Sequence, residues 1–442
     1  MLKKISAYNY KSWKELKDLT LGKVTLLFGE NSSGKTSIIQ LLLLLKQTVD
    51  SFDRAQPLNL GTRESLVELG LYEDMIYAHD KLLPLKLELA WETLPKENYP
   101  KDTAQIELEF NYISDSIRVK RTKLCLGQIC AELRRTGQKG AYQLFRNGES
   151  VVELGQTKDL APIKCYGFPS PATQMYPELS DLSLAVEDFA SRIYYLGPLR
   201  VRPQREYLWS GSAPEGVGRS GETAIQAILA NIVERAASKK AVKEKISDLV
   251  LSAETWLKKM QLATSFEVQQ IRGTRQYKAV LTVPDLNYEA NVADVGIGVS
   301  QVLPVVILAH FAPPGSIIIL EQPELHLHPS VQAILAELFF EVSAQRNIQF
   351  IVETHSEYLL TRLQRRLAER QSGELTEKDV KLYVCKKAEK QSVIDSLKLD
   401  ENGRIMNWPP HFFGDTVSDR EAIMRAYIRK RKERQGDKQA ND

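Results

Sequence analysis

The chain has 442 residues, 43% of them hydrophobic, enough to bury a large core and to divide into two or three lobes rather than one. Its 59 basic and 56 acidic residues leave a net charge of +3, so bulk charge selects no partner and any nucleic-acid contact must come from a local patch. Cys125, Cys130, Cys165 and Cys385 form neither a CxxC pair nor a dense set, so a zinc hook and a disulfide framework are not signalled and a reducing cytoplasm is the expected compartment.

The amino-terminal MLKKISAYNYKSW has no apolar signal core. Lys4 to Tyr10 and Val24 to Phe28 read as two strands around a polar turn that holds Lys17-Asp18-Leu19 and Leu21-Gly22-Lys23. The second strand breaks into Gly29-Glu30-Asn31-Ser32-Ser33-Gly34-Lys35-Thr36, and the apolar run Ile38 to Leu45 follows. This is strand, Gly-rich loop and helix with the spacing G-x-x-x-x-G-K-[ST]. Gly29 and Gly34 let the backbone turn tightly around an anion, Lys35 supplies a mobile charge for terminal phosphates, and the Thr36 hydroxyl suits Mg²⁺. The candidate nucleotide-binding residues are therefore Gly29, Asn31, Ser32, Ser33, Gly34, Lys35, Thr36 and Ser37, with ATP and Mg²⁺ as the expected ligands. The leucine run of the helix falls far short of the ~18 apolar residues of a membrane span.

A polar connection, Asp50 to Asn59, leads to LGTRESLVELG. From Leu82 to Phe145 apolar residues alternate with polar ones, which predicts an antiparallel β region. Its basic edge, Arg118 to Lys123, is expected as the solvated face of a strand rather than a nucleic-acid contact. Residues 165 to 185 read as Pro-rich and irregular, and Ile193 to Leu196 as an aromatic strand followed by Arg200, Arg202 and Arg205, which face either phosphate or solvent. The Gly-rich segment 211 to 222 is expected as a flexible connection rather than a nucleotide-facing loop. Thr223 to Lys259 reads as two or three amphipathic helices, a helical arm without sustained heptads.

In DVGIGVSQVLPVVILAH, a turn containing Gly296, Gly298, Ser300 and Gln301 opens a helix and aims a further set of N–H donors at a second phosphate. The strand Ile317 to Leu320 ends in Glu321, placed as the second anchor for Mg²⁺ opposite Thr36, with Gln322 and Glu324 beyond it. Phe350 to Val352 is a strand leading to Thr354-His355-Ser356, with His355 placed to touch a γ-phosphate or the attacking water. His326 and His328, followed by Pro329, suit a contact with a partner subunit better than a metal.

Together KSW, GENSSGKTS, YYLGPLR, DVGIGVSQVLP, IIILEQPELHLHP, IVETHS and NWPPHFFGDT resemble the SMC-like ABC ATPases without long coiled coils. That group includes the ATPase parts of OLD-family nucleases and of PARIS-like or Septu-like anti-phage systems. The resemblance implies an α/β fold: an ABC-type P-loop ATPase head with an antiparallel β subdomain and a helical arm insertion. It implies an ATPase lobe over 1–200, an arm over 201–264, a second lobe over 265–400 and a carboxy-terminal extension over 401–442. By the same resemblance Glu321 is the Walker B acid, Gly296, Gly298 and Ser300 the signature, and His355 the switch histidine. Gln322 stands where the family places a catalytic Glu, so either Glu324 orients the water or turnover is slow. The implied function is a head-to-tail homodimer or higher oligomer that clamps ATP and regulates a separately encoded effector, a nuclease or toxin, in defence against phage. The alternative is a DNA-binding repair or recombination clamp. No TOPRIM-type acidic cluster is visible, the closing RKRKER reads as a solvated helix end, and no membrane association is expected.

Overall fold

The computed structural model describes residues 1–95, 102–137, 140–237, 248–284, 288–371, 374–409 and 424. Three strands, β1 (Leu2–Tyr10), β2 (Trp13–Thr20) and β3 (Val24–Gly29), lead into α1 (Lys35–Asp50). Strand β2 occupies what the sequence suggested was a polar turn. Its buried residues are Trp13, Leu16 and Leu19; between the last two β2 carries an extra residue against β1, for Ile5 faces Leu19 and Ala7 faces Leu16, and Asp18 there takes a left-handed φ of 51°.

Beyond α2 (Tyr72–Met75) come β4 (Leu85–Glu92), β5 (Thr103–Ile113), β6 (Ser116–Leu126), β7 (Ile129–Arg135), β8 (Tyr142–Arg146) and β9 (Glu149–Ser150). With β1 and β2 they form the antiparallel sheet, in the order β2-β1-β4-β5-β6-β7-β8-β9. The basic edge of β6 is neutralised by its neighbours. Lys120 pairs with Glu109, Lys123 with Glu107, and Arg121 with both Glu107 and Glu132. The β6–β7 hairpin also sets Cys125 directly opposite Cys130, and the two are joined as a disulfide that the spacing in sequence did not signal. Cys165 and Cys385 are buried free thiols.

The segment expected to be irregular forms α3 (Ser170–Met175) and α4 (Leu179–Ser191), the latter burying Leu179, Leu182, Val186 and Phe189 along one face. Then follow β10 (Ile193–Leu196), β11 (Tyr207–Leu208), α5 (Ala224–Ala237), α6 (Leu249–Lys259), β12 (Ser265–Gln270), β13 (Gln276–Thr282) and β14 (Glu289–Asn291). The chain continues through α7 (Ile297–Phe311), β15 (Ile317–Glu321), α8 (Pro329–Arg346), β16 (Gln349–Glu353), α9 (Glu357–Ala368), β17 (Val380–Ala388) and β18 (Gln391–Leu397). The described helices of the expected arm lie against the body: Ile225, Ile228, Leu249, Trp256 and Leu257 share one core with α7. This explains why α7 is apolar on nearly every side. Most of the expected middle helix, and the RKRKER helix, lie outside the described residues.

The second sheet has the order β10-β15-β16-β3-β17-β18, parallel except for β18. Both faces of its central strands are covered, so these carry apolar runs such as Ile317–Leu320 and Phe350–Val352. Leu27, Ile319 and Ile351 pack toward the antiparallel sheet with α1 and α4, while Leu26, Phe28, Leu320 and Val352 pack toward α7, α8 and α9. The carboxyl ends of β3, β15 and β16 emerge on the same edge, the place where an open parallel sheet offers a ligand crevice. Among the described residues, no helix is long and apolar enough to cross a membrane.

Candidate functional site

Strand β3 sits between β16 and β17, and its end delivers the loop from Gly29 to Gly34. Gly29 (φ 137°) and Gly34 (φ 98°) both adopt backbone geometry that disfavours a side chain. Space is equally restrictive, since a Cβ at Gly29 would lie 2.1 Å from the Cys385 carbonyl oxygen and one at Gly34 would lie 2.7 Å from Ser392 Oγ. Helix α1 starts without a side-chain cap and without an acid in its first turn, so its leading N–H groups stay available to an anion. Ser33 Oγ is buried with no hydrogen-bond partner, an orphan that a phosphate oxygen would satisfy.

A cleft of about 370 Å³ lies over this loop, lined by Lys11, Ser12, Asn31, Ser32, Ser33, Gly34, Lys35, Thr36, Ser37, Gln40, Gln322 and Glu353. Lys35 is folded back, donating to the carbonyls of Gly29 (3.0 Å) and Glu30 (2.7 Å), with Glu353 Oε1 3.8 Å away. Burial pushes its ammonium below the usual lysine range, against the pull of Glu353. The Thr36 hydroxyl donates to Glu353 Oε2 at 2.8 Å. Burial raises the Glu353 carboxyl, and its contacts with Thr36 and Lys35 oppose that rise.

Sequence reasoning missed four residues that line the cleft, Glu353, Lys11, Ser12 and Gln40, and also Trp13, which bonds to the lining residue Ser37. Glu353 precedes the Thr-His-Ser turn, and its place in register beside Leu27 of β3 and Glu321 of β15 is what brings it to Thr36. Lys11 and Ser12 arrive from the turn between β1 and β2, with Lys11 Nζ bonded to Gln40 Oε1 and Ser12 Oγ 2.7 Å from Ser392 Oγ. Trp13, fully buried, donates its indole N–H to Ser37 Oγ at 2.9 Å and approaches the Gly34 carbonyl at 3.3 Å. The KSW motif contained the signal, but nothing in one sequence says that these residues border the phosphate loop.

The second set of site residues divides. Glu321 stands at the end of β15 but is not a wall of the cleft; its Oε1 accepts from the Tyr195 hydroxyl at 2.9 Å, and burial together with the neighbouring Glu353 charge pushes its pKa up to about 7. Gln322 does line the cleft, in a left-handed conformation (φ 44°). Glu324 is buried behind it, one oxygen accepting from the His355 backbone N–H at 2.7 Å and the other without a partner. The His355 side chain is exposed. Arg200 neither contacts solvent freely nor lines the cleft: its guanidinium is buried and reaches the carbonyls of Glu321 and Gln322, each at 3.4 Å. Burial lowers its pKa to about 10, with Glu324 opposing. Arg205 instead pairs with Asp294 at 2.6 Å.

Ser300 is buried, donates to the Ile297 carbonyl at 2.7 Å, and lines a separate cavity of about 80 Å³ with Arg202, Gly221 and Glu222. Gly296 and Ile297 are exposed, and none of Gly296, Gly298, Ser300 or Gln301 lines the P-loop cleft of the same chain. His328 caps α8, its ring accepting from the Ser330 N–H, and no cluster of metal-ligating His, Cys, Asp or Glu residues occurs among the described residues.

Three family models match parts of the chain. Residues 1–164 match the family described as "AAA ATPase domain", and residues 189–361 match "AAA domain, putative AbiEii toxin, Type IV TA system". Residues 375–422 match "Protein of unknown function (DUF3696)". No curated protein matches the chain. Among solved structures, the SMC head domain from Thermotoga maritima is 14% identical, with a TM-score of 0.41 over 90% of this chain and 98% of that one. An SMC head bound to the C-winged helix domain of ScpA is 12% identical, with a TM-score of 0.45 over 90% and 98%. The SMC head with an extended coiled coil, bound to the C-terminal domain of ScpA derived from Pyrococcus furiosus, is also 12% identical, with a TM-score of 0.42 over 90% and 96%.

Proposed function

We propose that this protein binds and hydrolyses ATP as an ABC-type switch. The observation that carries the reading is the convergence of Lys35, Thr36, Gln322 and Glu353 on one cleft over an uncapped helix start. A triphosphate there would replace the Gly29 and Glu30 carbonyls as partner of Lys35, whose burial costs less once phosphate charge lies beside it. Mg²⁺ prefers hard oxygens and retains waters, so the Thr36 hydroxyl and the Glu353 carboxylate, with Glu321 behind them, form a donor set that suits it; when bound, it supplies charge neutralisation of the phosphates. Gln322 can orient water but is a poor base, so we expect slow turnover, with Glu324 holding the His355 backbone in place rather than reaching the cleft.

Two heads are expected to close on ATP head-to-tail. Support comes from the exposed Gly296-Ile297 turn, which cannot cover the P-loop of its own chain yet is free to cover a partner's. We further propose that the ATP-bound pair, in the cytoplasm, holds or releases a separately encoded nuclease or toxin in defence against phage. The alternative DNA clamp is weakened on β6, where Lys120, Arg121 and Lys123 are paired with acids.

Light scattering on the purified chain tests the switch. ATP with Mg²⁺ should double the mass of wild type, while Lys35→Ala and Ile297→Glu remain single. A mass that ATP leaves unchanged in wild type refutes head closure, and absence of phosphate release refutes hydrolysis.

A further inference from the structure

A second cleft, of about 420 Å³, lies in the antiparallel lobe between the start of β6, the end of β7 and the 158–164 loop. Arg118, Arg135, Lys158 and Lys164 line it, and no carboxylate does. The contrast with the rest of the lobe is informative. Lys120, Arg121, Lys123, Arg134 and Arg146 are each paired with a glutamate, whereas Arg118, Arg135 and Lys158 have no ion-pair partner among the described residues.

Lys164 supplies an independent observation. It is 8% exposed, and its ammonium bonds to the neutral carbonyl of Val49, leaving further donors of a buried cation unused. Burial lowers its pKa, with the charges of Glu187 and Asp50 opposing the fall. Burying a charge is costly, and no carboxylate lines the cleft to offset it, so an anion there would relieve part of that cost.

We propose that this cleft is a second anion site that takes the phosphate group of a small phosphorylated molecule, either a nucleotide or free polyphosphate. Its volume is that of a small-molecule pocket. A nucleic-acid strand would need a continuing basic track, and the neighbouring sheet face is neutralised by Glu107, Glu109 and Glu132.

The test is calorimetry on the full chain carrying Lys35→Ala, which weakens the P-loop site, titrated separately with inorganic pyrophosphate, AMP and a single-stranded oligonucleotide. The expected result is saturable binding of pyrophosphate, AMP or both, weakened by about tenfold or more when Arg118→Gln and Arg135→Gln are added, the loss of charged hydrogen bonds to phosphate. Which of the two binds identifies the source of the phosphate. Both arginines are at the cleft surface, and unchanged thermal melts of the variant exclude misfolding. No binding by either small ligand overturns the proposal. So does binding that the two substitutions leave unchanged, or an oligonucleotide that binds through these arginines while the small ligands do not.

Discussion

The Thr36 hydroxyl, in the first turn of α1, donates to Glu353 Oε2 at 2.8 Å, at the end of the strand beside β3. The acid nearest the hydroxyl after the P-loop lysine therefore comes from β16, while Glu321 of β15 is engaged by Tyr195. Glu353→Gln should weaken Mg²⁺-dependent binding of a fluorescent ATP analogue by about tenfold, the scale of a charged contact. Glu321→Gln should change it less. Magnesium titrations of the two variants rank them, and the reverse order would return the leading role to Glu321.

Gly34→Ala should damage both the loop and the fold around it. The residue has φ 98°, and an added Cβ would meet Ser392 Oγ at 2.7 Å and Trp13 Nε1 at 2.9 Å. Left-handed strain alone costs about 1–2 kcal/mol. We expect a lower unfolding midpoint in urea and loss of ATP binding, whereas Gly148→Ala, at a glycine with open space around its would-be Cβ, should spare ATP binding.

Stability should depend on pH through Glu321. Its folded pKa, about 7, exceeds the usual ~4.3 of an unfolded glutamate, so between those values the folded chain holds the extra proton. Stability from this group is thus fully present below the unfolded pKa and declines as pH rises to about 7. Glu321→Gln removes the decline. Relative to wild type the variant should gain about 1–3 kcal/mol on going from about pH 5 to about pH 8, read by urea unfolding without nucleotide. A wild-type-minus-variant difference that stays flat over this range contradicts the assignment.

Thiol counting checks the β6–β7 hairpin. With Cys125 and Cys130 joined, and Cys165 and Cys385 free, protein unfolded without reductant should release two thiols and reduced protein four. Four in both conditions would mean that the hairpin cysteines remain reduced in the purified protein.

The legible parts were those with local signatures. The Gly29–Thr36 spacing, the period-two run from Leu85 to Phe110 and the apolar strand before Glu321 each declare their geometry within a few residues. What stayed hidden depended on register or on departures from period. Strand β2 was masked by its extra residue at Asp18, and α4 by the prolines before it, although Leu179, Leu182, Val186 and Phe189 keep helical spacing. Glu353 reads as an ordinary strand end until β16 is laid beside β3. Arg200 reads as a surface arginine until its loop folds beneath Glu321 and Gln322.

Trp13 belongs to a strand of the antiparallel sheet, yet its indole touches Ser37 and its backbone neighbour Ser12 is tied to Ser392 of the other sheet. The two sheets therefore share a fulcrum at the phosphate loop. A displacement of the antiparallel sheet is therefore expected to reach the phosphate loop directly, through the Trp13 indole and the Ser12–Ser392 contact.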